Sequence, residues 1–256
     1  MSVNLEPRVA LVGACQIHYL QAGAGKPVVF LHGAGGLRID EQVFAALAER
    51  FRLLVPSMPG FDQSTPGSTT SRKDVADVMA DFIRQEAGGK ASVIGESFGG
   101  GVASWLAVRH PDAVDRLVLA APAGLRQEGG PNLQELSPVE MNVLLFGKPP
   151  ESQPSAEEIE RRQRNRANVA RLDRGKPAWD QELYDQLPQV KAPTLILWGT
   201  NDGMIFPQQG KHFNERIPGS KLIYIEGGPH VLSAATPAEF LEHTLEFLGV
   251  AETAAR

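Results

Sequence analysis

Three polar residues of this chain, Ser97, Asp202 and His230, are of the types that together turn a hydroxyl group into a nucleophile. A serine hydroxyl reacts slowly near neutral pH unless an adjacent base takes its proton. Histidine can accept that proton and return it to a leaving group. A carboxylate on the far ring nitrogen fixes the histidine tautomer and stabilises the imidazolium cation. If the fold brings the three side chains together, the chemistry that they predict is acyl transfer through a covalent serine intermediate.

Ser97 is the centre of the sequence Gly95-Glu96-Ser97-Phe98-Gly99, which lies between a short apolar run and a stretch typical of a helix. Such a G-x-S-x-G pattern indicates a nucleophile only where a strand precedes it and a helix follows, as is predicted here. The tight turn predicts a strained backbone at the serine, with a glycine on either side that leaves room for it. The alternative is a glycine-rich turn with an incidental serine.

Asp202 and His230 also come directly after apolar runs, at residues 193–199 and 220–226. In a parallel α/β sheet the carboxyl ends of the strands meet at one edge, where ligands bind. We therefore expect both side chains to converge on Ser97. The order along the chain, serine, acid and then histidine, is the one expected for this type of sheet.

Each of these assignments has a simpler alternative. Asp202 could be a turn residue, because Thr-Asn-Asp-Gly is a favourable turn sequence, and His230 could be a solvated loop residue. If Asp202 is not the acid, Glu96 and Asp62 are the nearest candidates by sequence context. The joint occurrence of three such residues at three strand ends, in the expected order, favours the catalytic interpretation.

A carbonyl oxygen that gains negative charge during attack needs hydrogen-bond donors. The backbone N–H of Phe98, directly after the serine, is one predicted donor, and the second is expected in the loop after the apolar run 27–31. That loop has the sequence HGAGG at residues 32–36, and Ala34 N–H is the candidate. Phosphate binding by this loop is disfavoured, because it has neither the Walker lysine nor the G-x-G-x-x-G spacing.

Apolar runs and amphipathic helices alternate along the two ends of the chain. The runs have few polar positions, as strands buried on both faces do, and their alternation with helices predicts an α/β fold with a mainly parallel sheet. The alternation stops between residues 123 and 190, where prolines interrupt the first half and short helices are predicted. We therefore predict a core domain of residues 1–122 and 191–256, with residues 123–190 inserted as a helical unit.

The composition excludes several classes of protein. The chain has 256 residues and a formal net charge of −5, so we expect no basic surface for nucleic acid. No apolar run approaches the ~20 residues that a membrane span needs, and the N-terminal residues indicate a first strand and not a signal peptide. Cys15 is the single cysteine, which rules out an intrachain disulfide and fits a cytoplasmic location. The histidines show no metal-ligand spacing.

The segments HGAGG, GESFGG, LILWGTND and GGPH together resemble the α/β-hydrolase superfamily, over nearly the whole chain outside the insertion. The resemblance implies an eight-stranded sheet with helices on both faces, a Ser–His–Asp triad, a helical cap formed by the insertion, and no cofactor. Ser97 matches the family's nucleophile, Asp202 its acid and His230 its base. Ala34 and Phe98 match the two positions of the oxyanion hole.

The chain departs from the family pattern at three places. The loop at residues 57–64 lacks the first acid and the second glycine of the usual D-x-P-G-x-G-x-S sequence. Before the proline of the last helix, where a glutamate is common, stands Thr236. Val231 follows the histidine, whereas members that hydrolyse C–C bonds of ring-cleavage products often carry tryptophan there. The first two departures concern the subfamily, and the third weakens a C–C hydrolase assignment.

The resulting expectation is a hydrolase that cleaves a small carboxylic ester, or a related acyl bond, through a seryl-acyl intermediate. C–C bond hydrolysis of a diketone-like substrate is the alternative, and a hydrolase-like ligand receptor, a lyase and a perhydrolase stay open. The expected partner is a small-molecule substrate, with no nucleic acid, no membrane and no metal. A homodimer is left open.

Two residues of the insertion are candidates for contact with the substrate. Phe146 belongs to an apolar group at residues 141–146, which we expect to line the acyl or leaving-group side of the pocket. Arg171 lies beside Val169 and Leu172 near the end of a predicted helix and could hold a substrate carboxylate. The alternative for the arginines of this helix is a solvated face that pairs with glutamates.

Overall fold

The apolar runs form one mostly parallel sheet in a computed structural model of the chain, which describes residues 3–126 and 135–249. In chain order the strands are β1 (Glu6–Val12), β2 (Cys15–Ala22), β3 (Pro27–Leu31), β4 (Arg52–Pro56), β5 (Ala91–Glu96), β6 (Val114–Ala120), β7 (Thr194–Gly199) and β8 (Lys221–Ile225). Their order in the eight-stranded sheet is β1-β2-β4-β3-β5-β6-β7-β8. β2 pairs antiparallel with β1 and with β4, and the other pairs are parallel. The predicted fold class is confirmed.

Helices follow the strands and cover both faces of the sheet. In chain order they are α1 (Glu41–Ala48), α2 (Arg72–Glu86), α3 (Phe98–Arg109), α4 (Pro138–Phe146), α5 (Ala156–Leu172), α6 (Gln181–Gln186), α7 (Gln209–Arg216), α8 (Leu232–Ala235) and α9 (Pro237–Gly249). The short helix α8 was not predicted, because a four-residue segment has no readable helical period.

The sheet divides the core into two apolar layers. In β3, Val29 and Leu31 point into the layer that contains residues of α2 and α3, whereas Val28 and Phe30 point into the layer of α1 and α9. This alternation follows from the two-residue repeat of a strand. A strand that is apolar at every position is therefore buried on both faces. The polar residues that follow it in the sequence lie in the loops at the ends of the sheet.

The chain between β6 and β7 contributes α4, α5 and α6. Ser137 caps α4: its Oγ accepts from Glu140 N at 3.2 Å, while Glu140 Oε2 accepts from Ser137 N at 2.8 Å. Pro138 occupies the first helical position, where a missing N–H costs nothing. Ser155 caps α5 in the same way, by accepting from Glu158 N at 3.2 Å. Side-chain caps thus set where both helices begin.

The predicted division into core and insertion extends beyond the described residues. Residues 1–2 and 250–256 of the predicted core, and residues 127–134 of the predicted insertion, lie outside them. Within the described ranges, no helix has both the length and the apolar character needed to cross a lipid bilayer.

Candidate active site

The turn between β5 and α3 holds Ser97 in the strained backbone conformation that the sequence predicts. Its φ is 55° and its ψ is −116°, a region that residues with a side chain rarely occupy. A Cβ atom at Gly95 would lie 2.5 Å from Gly99 O, so only glycine fits where the helix approaches the strand. An added Cβ at Gly99 would overlap the carbonyl oxygens of Leu31 and His32. The start of α3 therefore lies directly against the end of β3.

Ser97, His230 and Asp202 come together at the carboxyl ends of β5, β8 and β7. Ser97 Oγ lies 2.8 Å from His230 Nε2, and His230 Nδ1 lies 2.8 Å from Asp202 Oδ2. A carboxylate can only accept, so the shared proton belongs to Nδ1, and Nε2 keeps the lone pair that faces the serine hydroxyl. His230 and Asp202 are buried, whereas Ser97 is partly exposed. This arrangement can pair a serine nucleophile with a histidine base.

The Asp202 carboxylate is held by donors on both oxygens. Oδ1 accepts from the backbone N–H groups of Met204 and Ile205, each at 2.9 Å. Oδ2 accepts from Trp198 Nε1 at 3.1 Å in addition to the histidine. These contacts leave Oδ2 aimed at the imidazole. Trp198 was not predicted as a site residue, although it lies at the end of β7, four positions before the acid.

The two alternative acids are engaged elsewhere. Glu96 Oε1 accepts from Ser233 N at 3.0 Å, and Glu96 Oε2 accepts from Ser233 Oγ at 2.9 Å. Asp62 accepts from Leu37 N at 2.8 Å and from Arg161 Nη1 at 2.9 Å. Of the three candidate acids, Asp202 is the one in contact with the imidazole.

Glu96 is a buried acid whose place in the site was not predicted. It directly precedes Ser97, and Ser233, which donates to it, is in the short helix α8 directly after the His230 loop. The carboxylate therefore ties together the two segments that carry the serine and the histidine. Burial raises the pKa of Glu96 above its ordinary value. The sequence did contain a signal for this role, since Glu96 is an acidic residue at the last position of a buried strand.

The loop at residues 32–36 lies against Ser97. A Cβ atom at Gly33 would lie 3.6 Å from Ser97 Cβ, and Gly36 N donates to Gly33 O at 3.1 Å, which closes a tight turn around Ala34. The backbone N–H groups of Ala34 and Phe98 donate to no acceptor among the residues that the structure describes. Unpaired N–H groups beside a reactive hydroxyl can receive an oxyanion.

His32 holds the beginning of this loop. Its Nδ1 donates to Gly33 O at 2.8 Å, and its Nε2 accepts from Met58 N at 3.1 Å. Burial lowers the pKa of His32 below its ordinary value, which favours the neutral ring that both contacts require. No separate role was predicted for His32, although its position directly after β3 was visible in the sequence.

Helix α4 contacts the loops that follow β7 and β8. Leu145 O accepts from Val231 N at 2.8 Å, and Leu144 O accepts from His230 N at 3.5 Å. A Cβ atom at Gly203 would lie 2.7 Å from Leu144 Cδ2, so the Leu144 side chain lies beside the turn that carries the acid. The carboxyl end of α4 is therefore next to both the histidine and the aspartate segments.

Phe146 points away from the rest of its predicted apolar group. The side chains of that group that pack on the core layer containing Phe98 are Met141, Leu144 and Leu145. The Arg38 guanidinium instead lies 5.1 Å from the centre of the Phe146 ring, and Phe146 lines a cavity of about 490 Å³ that no residue of the serine–histidine–aspartate array lines. Two positions along a helix turn the side chain by about 200°, which puts Phe146 on the opposite face from Leu144. The expected substrate contact of Phe146 is not supported by this placement.

Arg171 is likewise not directed at the array. Its guanidinium donates to Asn168 Oδ1 through Nε at 3.2 Å and through Nη2 at 2.8 Å. It also donates to the carbonyl and hydroxyl oxygens of Thr69. These contacts attach α5 to the loop before α2, so the donors that were expected to hold a substrate carboxylate are occupied within the protein.

The sequence of this chain is similar to those of a known protein family. The model of the alpha/beta hydrolase family matches residues 28–243. The chain therefore belongs to the alpha/beta hydrolase family.

The similar proteins include enzymes of more than one specificity. Lipase 1 of Psychrobacter immobilis is 28% identical over 229 residues, which cover 81% of this chain and 72% of the lipase. A 2-hydroxy-6-oxo-6-phenylhexa-2,4-dienoate hydrolase of Burkholderia cepacia is 27% identical over 268 residues, which cover 91% of each chain. The crystal structure of a bacterial membrane phospholipase A aligns with a TM-score of 0.81 at 23% identity, over 97% of this chain and 87% of that one. This last similarity concerns the fold alone.

Proposed function

We propose that the chain is a serine hydrolase that cleaves small carboxylic esters, or closely related acyl bonds, through a seryl-acyl intermediate. The observation that carries the proposal is the array in which His230 lies 2.8 Å from both Ser97 Oγ and Asp202 Oδ2. Ser97 is partly exposed, whereas its two partners are buried. Similarity to a lipase, an enzyme of ester bonds, supports the same reaction class.

In the first half-reaction, Ser97 Oγ attacks the ester carbonyl carbon while its proton passes to His230 Nε2. The carbonyl oxygen becomes an oxyanion, to which the N–H groups of Ala34 and Phe98 donate. The imidazolium, stabilised by Asp202, then gives its proton to the leaving oxygen as the C–O bond breaks. The products are a free alcohol and an acyl ester of Ser97.

In the second half-reaction, a water molecule attacks the carbonyl carbon of the acyl ester while its proton passes to His230 Nε2. The second tetrahedral intermediate places its oxyanion in the same pair of N–H groups. Its collapse breaks the bond to Ser97 Oγ, which takes the proton back from the imidazolium. A carboxylic acid leaves, and the enzyme returns to its starting state.

We propose in addition that residues 123–190 act as a cap over this site. Two contacts support a cap: Leu145 O accepts from Val231 N beside the histidine, and Arg161 Nη1 donates to Asp62 beside the glycine-rich loop. Leu144, next to Gly203, would then present apolar surface to the acyl chain.

Hydrolysis of a C–C bond in a diketone-like substrate is the second candidate. It is favoured by the Burkholderia cepacia relative, whose name gives a dienoate as substrate and which aligns with 91% of this chain. Val231 weakens this second candidate, because C–C hydrolases of the family often carry tryptophan at this position. Both reactions would use the same nucleophile.

A panel of p-nitrophenyl esters from acetate to laurate, assayed beside a vinylogous diketone, separates the two candidates. The proposal predicts turnover of the esters, and the Ser97→Ala variant should lose a factor of about 10³ or more in kcat/KM. Fast turnover of the diketone with little ester cleavage would replace the ester assignment by the C–C one. A folded protein that turns over neither would contradict the proposal.

A further inference from the structure

We propose that Asn165 and Arg161 of α5 are positioning residues for the oxyanion loop, which we define as residues 32–37. The proposal rests on the proposed function and adds to it the way in which the cap takes part in catalysis. The loop that carries Ala34 N–H is held by side chains of the cap as well as by Asp62 of the core domain. Removing those side chains should therefore weaken stabilisation of the oxyanion without removing any reacting group.

Asn165 is buried, and both polar atoms of its amide bond to the oxyanion loop or to Asp62. Its Nδ2 donates to Gly35 O at 2.9 Å and to Asp62 Oδ1 at 3.0 Å. Its Oδ1 accepts from Asp62 N at 3.0 Å. Two acceptors on one side and one donor on the other fix the orientation of the amide. Gly35 is next to Ala34, so this contact holds the loop at the residue beside the proposed donor.

Arg161, one turn earlier on the same face of α5, adds a charged contact to the same loop. Its Nη1 donates to Asp62 Oδ1 at 2.9 Å and lies within 3.4 Å of the carbonyl oxygens of Gly35 and Leu37. Charge-assisted hydrogen bonds of this kind are stronger than neutral ones. The arginine therefore binds the far end of the oxyanion loop to the cap.

Asp62 connects these cap side chains to the core. Its Oδ2 accepts from Leu37 N at 2.8 Å and from Ser57 Oγ at 3.2 Å, while its Oδ1 faces α5. Burial acts to raise the pKa of Asp62, but the nearby His32 and hydrogen-bond donors outweigh it, and the pKa lies below its ordinary value. An ionised carboxylate thus receives donors from the oxyanion loop, the β4–α2 loop and the cap.

The fit is tight around Gly36. Its φ is +87°, and an added Cβ atom would overlap Asn165 Nδ2 and lie 2.5 Å from Asp62 Oδ1. The loop therefore approaches α5 as closely as a glycine allows. A single oxyanion donor is worth about 10²–10³ in kcat. Even a small displacement of Ala34 N–H from the oxyanion should therefore lower kcat measurably.

The test compares two matched substitutions on the same helix, Asn165→Leu and Asn168→Leu. Both asparagines are buried and donate to a backbone carbonyl oxygen, but Asn168 donates to Pro59 O, at 3.0 Å, and not to the oxyanion loop. The measurements are kcat and KM for a p-nitrophenyl ester, the melting temperature, and the inhibition constant of an alkyl trifluoromethyl ketone. Ser97 Oγ adds to that ketone, and the resulting hemiketal oxyanion occupies the position of the transition-state oxygen.

We expect Asn165→Leu to lower kcat roughly tenfold and to raise the inhibition constant by a similar factor, with KM changed less than about twofold. Asn168→Leu should lower the melting temperature by about as much as Asn165→Leu does. Its kcat and inhibition constant should stay within about twofold of the wild-type values. Equal kinetic effects of the two variants, or an unchanged inhibition constant in Asn165→Leu, would overturn the proposal.

Two further measurements keep the result interpretable. If Asn165→Leu does not fold, Arg161→Met takes its place, since this side chain is partly exposed, and Arg161→Lys should restore part of the lost kcat. Labelling of the wild-type protein with a fluorophosphonate is measured in parallel. If the wild-type protein is not labelled, the proposed function itself is refuted. Normal labelling, with the same kcat and inhibition constant in the two leucine variants, would refute only the role of Asn165.

Discussion

His230 joins the two halves of the proposed chemistry, since one ring nitrogen faces Ser97 Oγ and the other faces Asp202 Oδ2, each at 2.8 Å. Because the carboxylate only accepts, it decides which nitrogen remains free to act as the base. Both His230 and Asp202 are buried, so solvent does not compete for this contact. The proposed chemistry therefore depends on the acceptor character of Asp202 as well as on its charge.

Asp202→Asn tests that dependence. Asparagine Oδ1 can still accept from the backbone N–H groups of Met204 and Ile205, so we expect an intact fold. Its NH2 group cannot accept from His230 Nδ1, so the imidazole adopts the wrong tautomer and kcat should fall by about 10⁴-fold. Ester kinetics beside circular dichroism give the result. Activity within tenfold of the wild type would mean that another acid serves, and Glu96 and Asp62 would be replaced next.

Glu96 provides a prediction on stability. Its pKa is raised by burial, so as pH rises through the ordinary value of 4.5 the unfolded chain loses a proton that the folded protein still holds. The contribution of Glu96 to stability is therefore largest at low pH and declines as pH rises towards its folded pKa. Glu96→Gln can keep both contacts to Ser233 and has no such decline. Denaturant unfolding should show the variant gaining on the wild type with rising pH, and a constant difference would contradict the assignment.

At the scale of elements, the oxyanion loop carries a pH dependence of opposite sign. The pKa of His32 is lowered by burial, so as pH falls through the ordinary value of 6.5 the unfolded chain takes up a proton that the folded protein does not. Stability from His32 is complete above 6.5 and is lost as pH falls towards the folded pKa. The difference in free energy of unfolding between the wild type and the His32→Gln variant should therefore become smaller as the pH falls. A difference that grows on acidification would contradict burial of a neutral ring.

Helix α4 permits a matched pair of substitutions on opposite faces. Leu144 lies beside Gly203 near the acid, whereas Phe146 lies under Arg38. We expect Leu144→Ala to shift the preferred ester towards longer acyl chains, because it enlarges the apolar side of the pocket, and Phe146→Ala to leave the preference unchanged. The ratio of kcat/KM for butyrate and octanoate esters measures this. A larger shift in Phe146→Ala would return that residue to the pocket.

The elements differed in how far their sequence revealed them. β3 begins and ends where the apolar run does, because a strand buried on both faces has no polar position to blur its limits. Helix α5 was predicted from its cap, but the face that it buries was not. Arg161, Asn165 and Asn168 recur at three- and four-residue spacing and contact the loop between β4 and α2. Polar residues at such spacing usually face water, so their docking depends on acceptors in distant loops that the local sequence does not indicate.

At the scale of the whole molecule, the convergence of Ser97, Asp202 and His230 could be predicted because it follows from topology. Parallel strands place their carboxyl ends at one edge of the sheet wherever they lie in the chain. The inward turn of Leu144 and the outward turn of Phe146 could not be predicted, because both depend on how α4 docks against the loops after β7 and β8. The contacts of Arg171 could not be predicted for the same reason, since its partner Thr69 is distant in sequence.

Covalent labelling is the sharpest test of Ser97 as the nucleophile. After reaction with an alkyl fluorophosphonate, intact-mass and peptide mass spectrometry should show one adduct per chain, on Ser97, together with loss of ester hydrolysis. The Ser97→Ala variant should take up no adduct and should retain a fold of wild-type stability. A stoichiometric adduct on another residue, or ester turnover by Ser97→Ala at the wild-type rate, would contradict the account.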